Sequence, residues 1–185
     1  MNPPPENRRS FLKWATQALG AIVAAVLGIP AVAYLLDARN RPTRSSDFRT
    51  VARLGELPEG QPKQFVITDT RRDAWTLHPN EEVGRVWLIK QKDGSVAAFT
   101  SICPHLGCSI NFEEKSALFI CPCHNGTFNL DGSLKQRPGI NNPAPRGMDS
   151  LEVKIVEDAA NKDNSLVQVK YQNFRQGLHD KIAKG

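Results

Sequence analysis

The chain contains no glycine-rich loop that would cradle phosphates, no repeat at solenoid spacing, and no Ser/His/Asp arrangement or paired carboxylates. Nucleotide binding, solenoid architecture and hydrolytic catalysis therefore have no support. A charge excess is also missing from most of the chain. Of the residues behind the formal net charge of +5, seven basic and three acidic ones fall in residues 1–50, and the rest is nearly balanced at +1. No basic stripe with interleaved aromatics exists, so nucleic acid is not an expected partner. Cysteine and histidine are scarce, with four of each. Yet all four cysteines and two of the histidines crowd into two short stretches, CPHLGC at 103–108 and CPCHNGTF at 121–128.

One long apolar run stands apart from this otherwise polar chain. Residues 14–36, WATQALGAIVAAVLGIPAVAYLL, carry no formal charge over 23 positions. At about 1.5 Å per residue that is roughly 35 Å of helix, enough to cross a hydrocarbon core of about 30 Å. Trp14 and Tyr34 sit where interfacial aromatics are favoured. Gly20, Gly28 and Pro30 are tolerated in a membrane helix. Residues 14–36 are therefore expected to be a transmembrane anchor in contact with membrane lipid. The preceding NRRSFLK, with Arg8 and Arg9 adjacent, resembles a twin-arginine export signal. That resemblance implies a bacterial protein folded before export, with residues 1–13 cytoplasmic and the remainder outside the plasma membrane. The competing reading is cleavage after Ala33, because AVA at 31–33 fits a signal-peptidase site. Retention of the anchor is the expectation adopted.

Residues 37–47, DARNRPTRSSD, are polar and aperiodic and read as a flexible linker. Residues 48–185 read as a mainly β head. Runs at 63–69, 84–90, 95–102, 117–121, 150–157 and 166–171 are rich in Val, Ile and Phe. Turn formers such as Asp93-Gly94 and Asp131-Gly132 separate them. This spacing predicts a small antiparallel β domain. The two Cys/His loops interrupt it, set side by side by a pair of strands between them. Tyr171 and Phe174 begin a tail expected to pack on the head or on a neighbouring subunit. Trp75 and Trp87 are expected in the core, and His78 and His179 on the surface or in packing.

Cys103 and His105 form C-x-H, and Cys121 and His124 form C-x-x-H. Two thiolates with two imidazoles would suit zinc by ligand type, but zinc leaves Cys108 and Cys123 without a role. The whole pattern, C-x-H-x-x-C followed by C-x-C-H, resembles that of the Rieske iron–sulfur proteins. Nearly the whole chain from Arg8 onward resembles the iron–sulfur subunits of bacterial cytochrome bc-type quinol–cytochrome c reductase complexes.

The resemblance implies a Rieske-type β domain with an inserted cluster-binding subdomain, preceded by one transmembrane helix. It implies one 2Fe–2S cluster per chain, with Cys103 and Cys121 on the inner iron and His105 and His124 on the outer one. Neutral imidazoles in place of two thiolates raise the potential into a range of about −150 to +300 mV. Cys108 and Cys123 match the pair that forms a disulfide between the two loops, which suits an oxidising compartment. NNPAP at 141–145 resembles the proline-rich loop, ending near residue 146, that covers the cluster. There Asn142 takes the place of a glycine, and Pro143 and Pro145 stiffen the cover. Leu106 corresponds to the residue that shields the cluster and docks on cytochrome b.

By the same resemblance His124, and after it His105, are the catalytic contacts to quinol. The electron passes to a c-type cytochrome and the proton is released outside. The partners implied are a cytochrome b subunit, a c-type cytochrome and quinol, within a dimeric multisubunit complex. A head that swings between its partners would use residues 37–47 as its tether. The sequence departs from the high-potential pattern at Asn125-Gly126-Thr127-Phe128, where the family usually places Gly-Ser-x-Tyr. Gly126 and Phe128 supply neither hydroxyl, and Thr127 could restore one bond only with a local backbone change. Fewer donors to cluster sulfurs lower the potential, which points to menaquinol as the reductant. Two alternatives compete with this reading: the Rieske small subunit of a molybdenum enzyme such as arsenite oxidase, and a structural zinc module on the membrane.

Overall fold

The structure is a computed structural model and describes residues 6–40, 48–72, 76–139 and 141–184. It divides into two units, an N-terminal helix and a β head. Helix α1 (Glu6–Asn40) contains the apolar run expected to span a membrane and continues beyond it at both ends. The stretch Asn7–Leu36 is long and apolar enough to cross a membrane, and none of its most apolar window is buried. Pro30 sits within the helix. Residues 37–40 of the expected linker are helical, and 41–47 lie outside the described residues, as does Trp75.

Among the described residues the head has nine strands in three antiparallel sheets of three. The first sheet has the order β1-β9-β8, formed by Phe48–Arg53, Leu166–Lys170 and Glu152–Val156. The second is the meander β2 (Lys63–Arg72), β3 (Leu77–Lys90) and β4 (Val96–Thr100). The third is the small meander β5 (Asn111–Glu113), β6 (Leu118–Cys121) and β7 (Gly126–Phe128). Six of these strands fall on the runs expected from sequence. β1, β5 and β7 do not, because β1 is half polar and the other two are three residues long. Strands that short are defined by their partners, not by their own composition.

Alternation along β9 places Val167 and Val169 inward, opposite Ile155 and Val153 of β8. They join Ile67, Val86, Leu88, Leu54 and Phe174 in one core. The Asp93-Gly94 turn closes the β3–β4 hairpin. Asp93 accepts from the Ser95 amide and hydroxyl at 2.9 and 2.7 Å, and these bonds hold its carboxyl below the usual carboxylate range. β3 starts seven residues earlier than expected, because its first half pairs only with β2 on an exposed ribbon. Pro79 is accommodated there, since no third strand needs its missing N–H.

A second core lies beneath the Cys/His loops and contains Trp87, Ile89, Phe99, Ile110, Phe119, Phe128 and Met148. Trp87 donates its indole N–H to the Ile110 carbonyl at 3.1 Å and meets Phe119 edge-on at 5.4 Å between centroids. Trp87 is thus the buried core residue anticipated. It links the second sheet to the start of the third, so the loops stand on a rigid floor.

Candidate metal centre

The first loop leaves β4 and returns to β5. Its neck is closed by the Ile110 amide on the Ser101 carbonyl at 2.7 Å and by a bridge between Ile102 and Ser109. Inside it, the Cys103 amide donates to Cys108 at 2.8 Å and the Gly107 amide returns to Cys103 at 2.9 Å. Gly107 takes φ +86°, a left-handed conformation that a side chain would strain. This tight turn buries Cys103 and Pro104, leaves His105 half-buried and pushes Leu106 outward at 65% exposure.

The second loop is the β6–β7 hairpin, with Cys121 paired to Gly126 across its neck. Cys121 is buried at its base, whereas Cys123 and His124 are exposed at its tip. Asn125 turns the chain at φ +60°, which asparagine tolerates. The Thr127 hydroxyl donates to the Asn125 carbonyl at 3.0 Å, and Thr127 is almost fully buried.

Cys108 and Cys123 form a disulfide with Cα atoms 6.6 Å apart, joining the two loops. Cys103 and Cys121 are left as free, buried thiols. The His105 and His124 rings lie 4.9 Å apart at 81°, His105 half-buried and His124 exposed. The Cys108, Cys121 and Cys123 sulfurs lie within 4.8 Å of one another, but the disulfide consumes two of them, so that trio is not a ligand set. Burial pushes the Cys103 thiol up to about 11. The His105 amide opposes this by donating to the sulfur, the neighbouring Cys121 adds to it, and the Leu106 amide opposes it again. A buried thiol pair of this kind favours its thiolates only when a cation takes the place of the protons.

The third loop packs against the second. Asn142 is buried and donates its amide to the carbonyls of Thr127 at 2.6 Å and Lys135 at 3.2 Å. Its side-chain oxygen accepts from the Ala144 amide at 3.1 Å, which fixes Pro143 and Pro145 on either side of a buried Ala144. Asn142 and Arg146 were not foreseen as site residues. Asn142 was visible only as a replacement within the proline-rich motif, and Arg146 carried no signal, because the two tail carbonyls it reaches are 29 and 32 residues away in sequence.

Two buried thiols, one in each of the disulfide-joined loops, and two imidazoles 4.9 Å apart nearer the surface offer sulfur and nitrogen donors, with the other two cysteines committed to the disulfide. The donor set fits a diiron cluster with two inner sulfur and two outer nitrogen ligands. The Rieske [2Fe–2S] domain model matches residues 47–157, and the chain belongs to that family. It is 31% identical over 150 residues to the menaquinol:cytochrome c reductase iron–sulfur subunit of Geobacillus thermodenitrificans, covering 80% of this chain and 86% of the relative. The corresponding subunit of Bacillus subtilis is 32% identical, with 80% and 87% covered. A cytochrome b6-f complex iron–sulfur subunit of Chlorobaculum thiosulfatiphilum is 26% identical, with 82% and 72% covered. The cofactor is a Rieske-type 2Fe–2S cluster.

Proposed function

We propose that this chain is the iron–sulfur subunit of a quinol–cytochrome c reductase, with Cys103, Cys121, His105 and His124 as the cluster ligands. The observation that carries the reading is the division of the four groups by exposure: thiols buried, imidazoles side by side at the tip beside Leu106. The likeness to menaquinol:cytochrome c reductase subunits over four-fifths of the chain supports the same assignment.

When bound, the cluster supplies a one-electron acceptor whose charge bears directly on its ligand imidazoles. His124, exposed, accepts a hydrogen bond from a quinol hydroxyl and holds the proton that leaves with the electron. His105, half-buried, is the second contact. Leu106 is the apolar contact that seats the tip on a cytochrome b subunit and keeps water from the proton path. The electron goes on to a c-type cytochrome, and His124 then releases its proton on the outer face. In this reading α1 is retained as a single-pass anchor, exported by its twin-arginine segment, with the head on the outer side.

Menaquinol is the proposed reductant. Gly126 and Phe128 offer no hydroxyl, and the Thr127 hydroxyl donates to a backbone carbonyl. Few donors therefore reach the cluster sulfurs, which keeps the potential low.

Two measurements test this. The purified protein should contain iron and acid-labile sulfide and give, when reduced, an EPR spectrum of low average g value. A colourless, iron-free preparation would overturn the ligand assignment. Leu106→Glu should then leave that spectrum intact while lowering menaquinol–cytochrome c turnover of the complex at least tenfold. Unchanged turnover would remove Leu106 from the docking surface.

A further inference from the structure

Three loops make the tip, and two of the three pairs among them are joined by bonds already described. The disulfide ties the first loop to the second, and Asn142 ties the second to the third. The remaining side, between the third loop and the first, is closed by the C-terminal tail, which lies beyond the part matched by the family model.

The tail leaves the core at Phe174, which is buried, and doubles back on itself. The Arg175 amide donates to Ile182 at 2.8 Å and the Lys184 amide to Asn173 at 2.7 Å. At its turn the Gly177 amide donates to the carbonyl of Pro104 at 2.8 Å, one residue before His105. On its other side His179 donates from Nδ1 to the carbonyl of Pro145 at 3.0 Å. Arg146 completes the join. Its guanidinium holds Asp149 through two bonds of 2.8 Å and reaches the tail carbonyls of Arg175 at 2.9 Å and Leu178 at 2.5 Å. Both members of this ion pair are largely buried. One arginine at the end of the proline-rich loop thus uses its fork on Asp149 and the rest of its donors on the tail, a geometry lysine cannot reproduce.

We propose that the tail from Phe174 to Lys184 is a strap that holds the first cluster loop against the proline-rich loop, with Arg146 as the positioning residue that fastens it. The proposal rests on the assignment of His105 as a cluster ligand. Without the strap, Pro104 loses its tail partner and His105 sits on a loop braced from the second loop alone. The strap then acts on the ligand field and on retention of the cluster more than on the fold, because Gly177, His179 and Arg146 join it to the loops, while its ties elsewhere are Lys181 on Ser150 and Phe174 in the first core.

Two variants of the full-length holoprotein test this. Arg146→Lys keeps the charge against Asp149 but cannot span both tail carbonyls. Deletion of residues 175–185 removes the strap and keeps Phe174 in the core. Both should broaden or shift the highest-field g value of the reduced EPR spectrum. Both should also speed cluster bleaching in mild denaturant about tenfold, the order expected from losing a few modest hydrogen bonds. Combined, they should do no more than the deletion alone. Arg49→Met, which breaks the ion pair to Asp69 on the first two sheets, should leave the spectrum unchanged. An unaltered spectrum and bleaching rate in Arg146→Lys would overturn the strap, as would an equal effect from Arg49→Met. If the deletion does not fold, Arg146→Lys decides alone. Absence of the Rieske signal from the wild type would instead sink the ligand assignment.

Discussion

Tyr171 illustrates how single side chains set tolerances in this head. It is buried against β3, where a Cβ at Gly84 would collide with its hydroxyl, and that hydroxyl donates to Asn173 at 3.1 Å. Burial raises its pKa above the ordinary 10.0, and the nearby Glu82 charge adds to the shift. Because the folded-state value lies above the unfolded one, this contribution to stability is complete below about pH 10 and is lost as pH rises through the raised value. Tyr171→Phe should therefore cost about 1 kcal/mol at pH 8, through the lost hydrogen bond, and should flatten the alkaline fall in stability. Denaturant titrations of both proteins between pH 8 and 11 measure this, and parallel curves would remove Tyr171 as the cause. At the same scale, Asn142 and Arg146 show how polar side chains without any motif can hold a site together. Each satisfies two backbone carbonyls, those of Asn142 7 and 15 residues away and those of Arg146 29 and 32.

At the scale of elements, the β6–β7 hairpin carries the proposed tuning of the cluster. A Cβ at Gly126 would meet Asn142 Oδ1 and Cys121 Cβ at 3.6 Å and Phe128 at 3.7 Å, which is ordinary contact. Serine therefore fits there without rebuilding the hairpin, whereas the buried Phe128 has its ring in the second core. Gly126→Ser and Phe128→Tyr together should raise the midpoint potential, by roughly 60 mV for each donor worth about a factor of ten in a one-electron equilibrium. A redox titration followed by EPR checks it, and an unchanged potential would mean that these positions do not face the cluster sulfurs. The strands of this hairpin were only partly legible in sequence. The apolar LFIC stretch stood out, but Gly126–Phe128 becomes a strand only by pairing with it. The proposed ligand residues stood out in the sequence because metal chemistry restricts both residue type and spacing. The cover loop was legible as a proline motif, although not how Asn142 would hold it down.

For the whole molecule, both cores among the described residues are formed by residues of the head. Removing residues 1–40 should thus give a head that keeps its cluster spectrum and its stability. Membranes whose cells export that version behind a cleavable signal peptide should lose menaquinol–cytochrome c activity by at least tenfold, since an anchor raises the local concentration of the head at its partners. Comparing spectrum and membrane activity of the truncated and full-length chains checks this. Retention of full activity without the anchor would favour a freely diffusing carrier.

The sequence alone determined the membrane-length apolar helix, the antiparallel β character of the head and its Rieske pattern of cysteines and histidines. Each of these depends on residue type at short range: unbroken apolarity, alternation with turn formers, and ligand spacing. Only the tertiary structure decided that Thr127 spends its hydroxyl on Asn125, that Asn142 fastens the cover, and that Arg146 and the tail join the third loop to the first. Those outcomes hang on backbone carbonyls, which every residue has and no sequence pattern marks. They exist only once the folded chain brings partners as far as 73 positions apart, such as Pro104 and Gly177, within hydrogen-bonding distance.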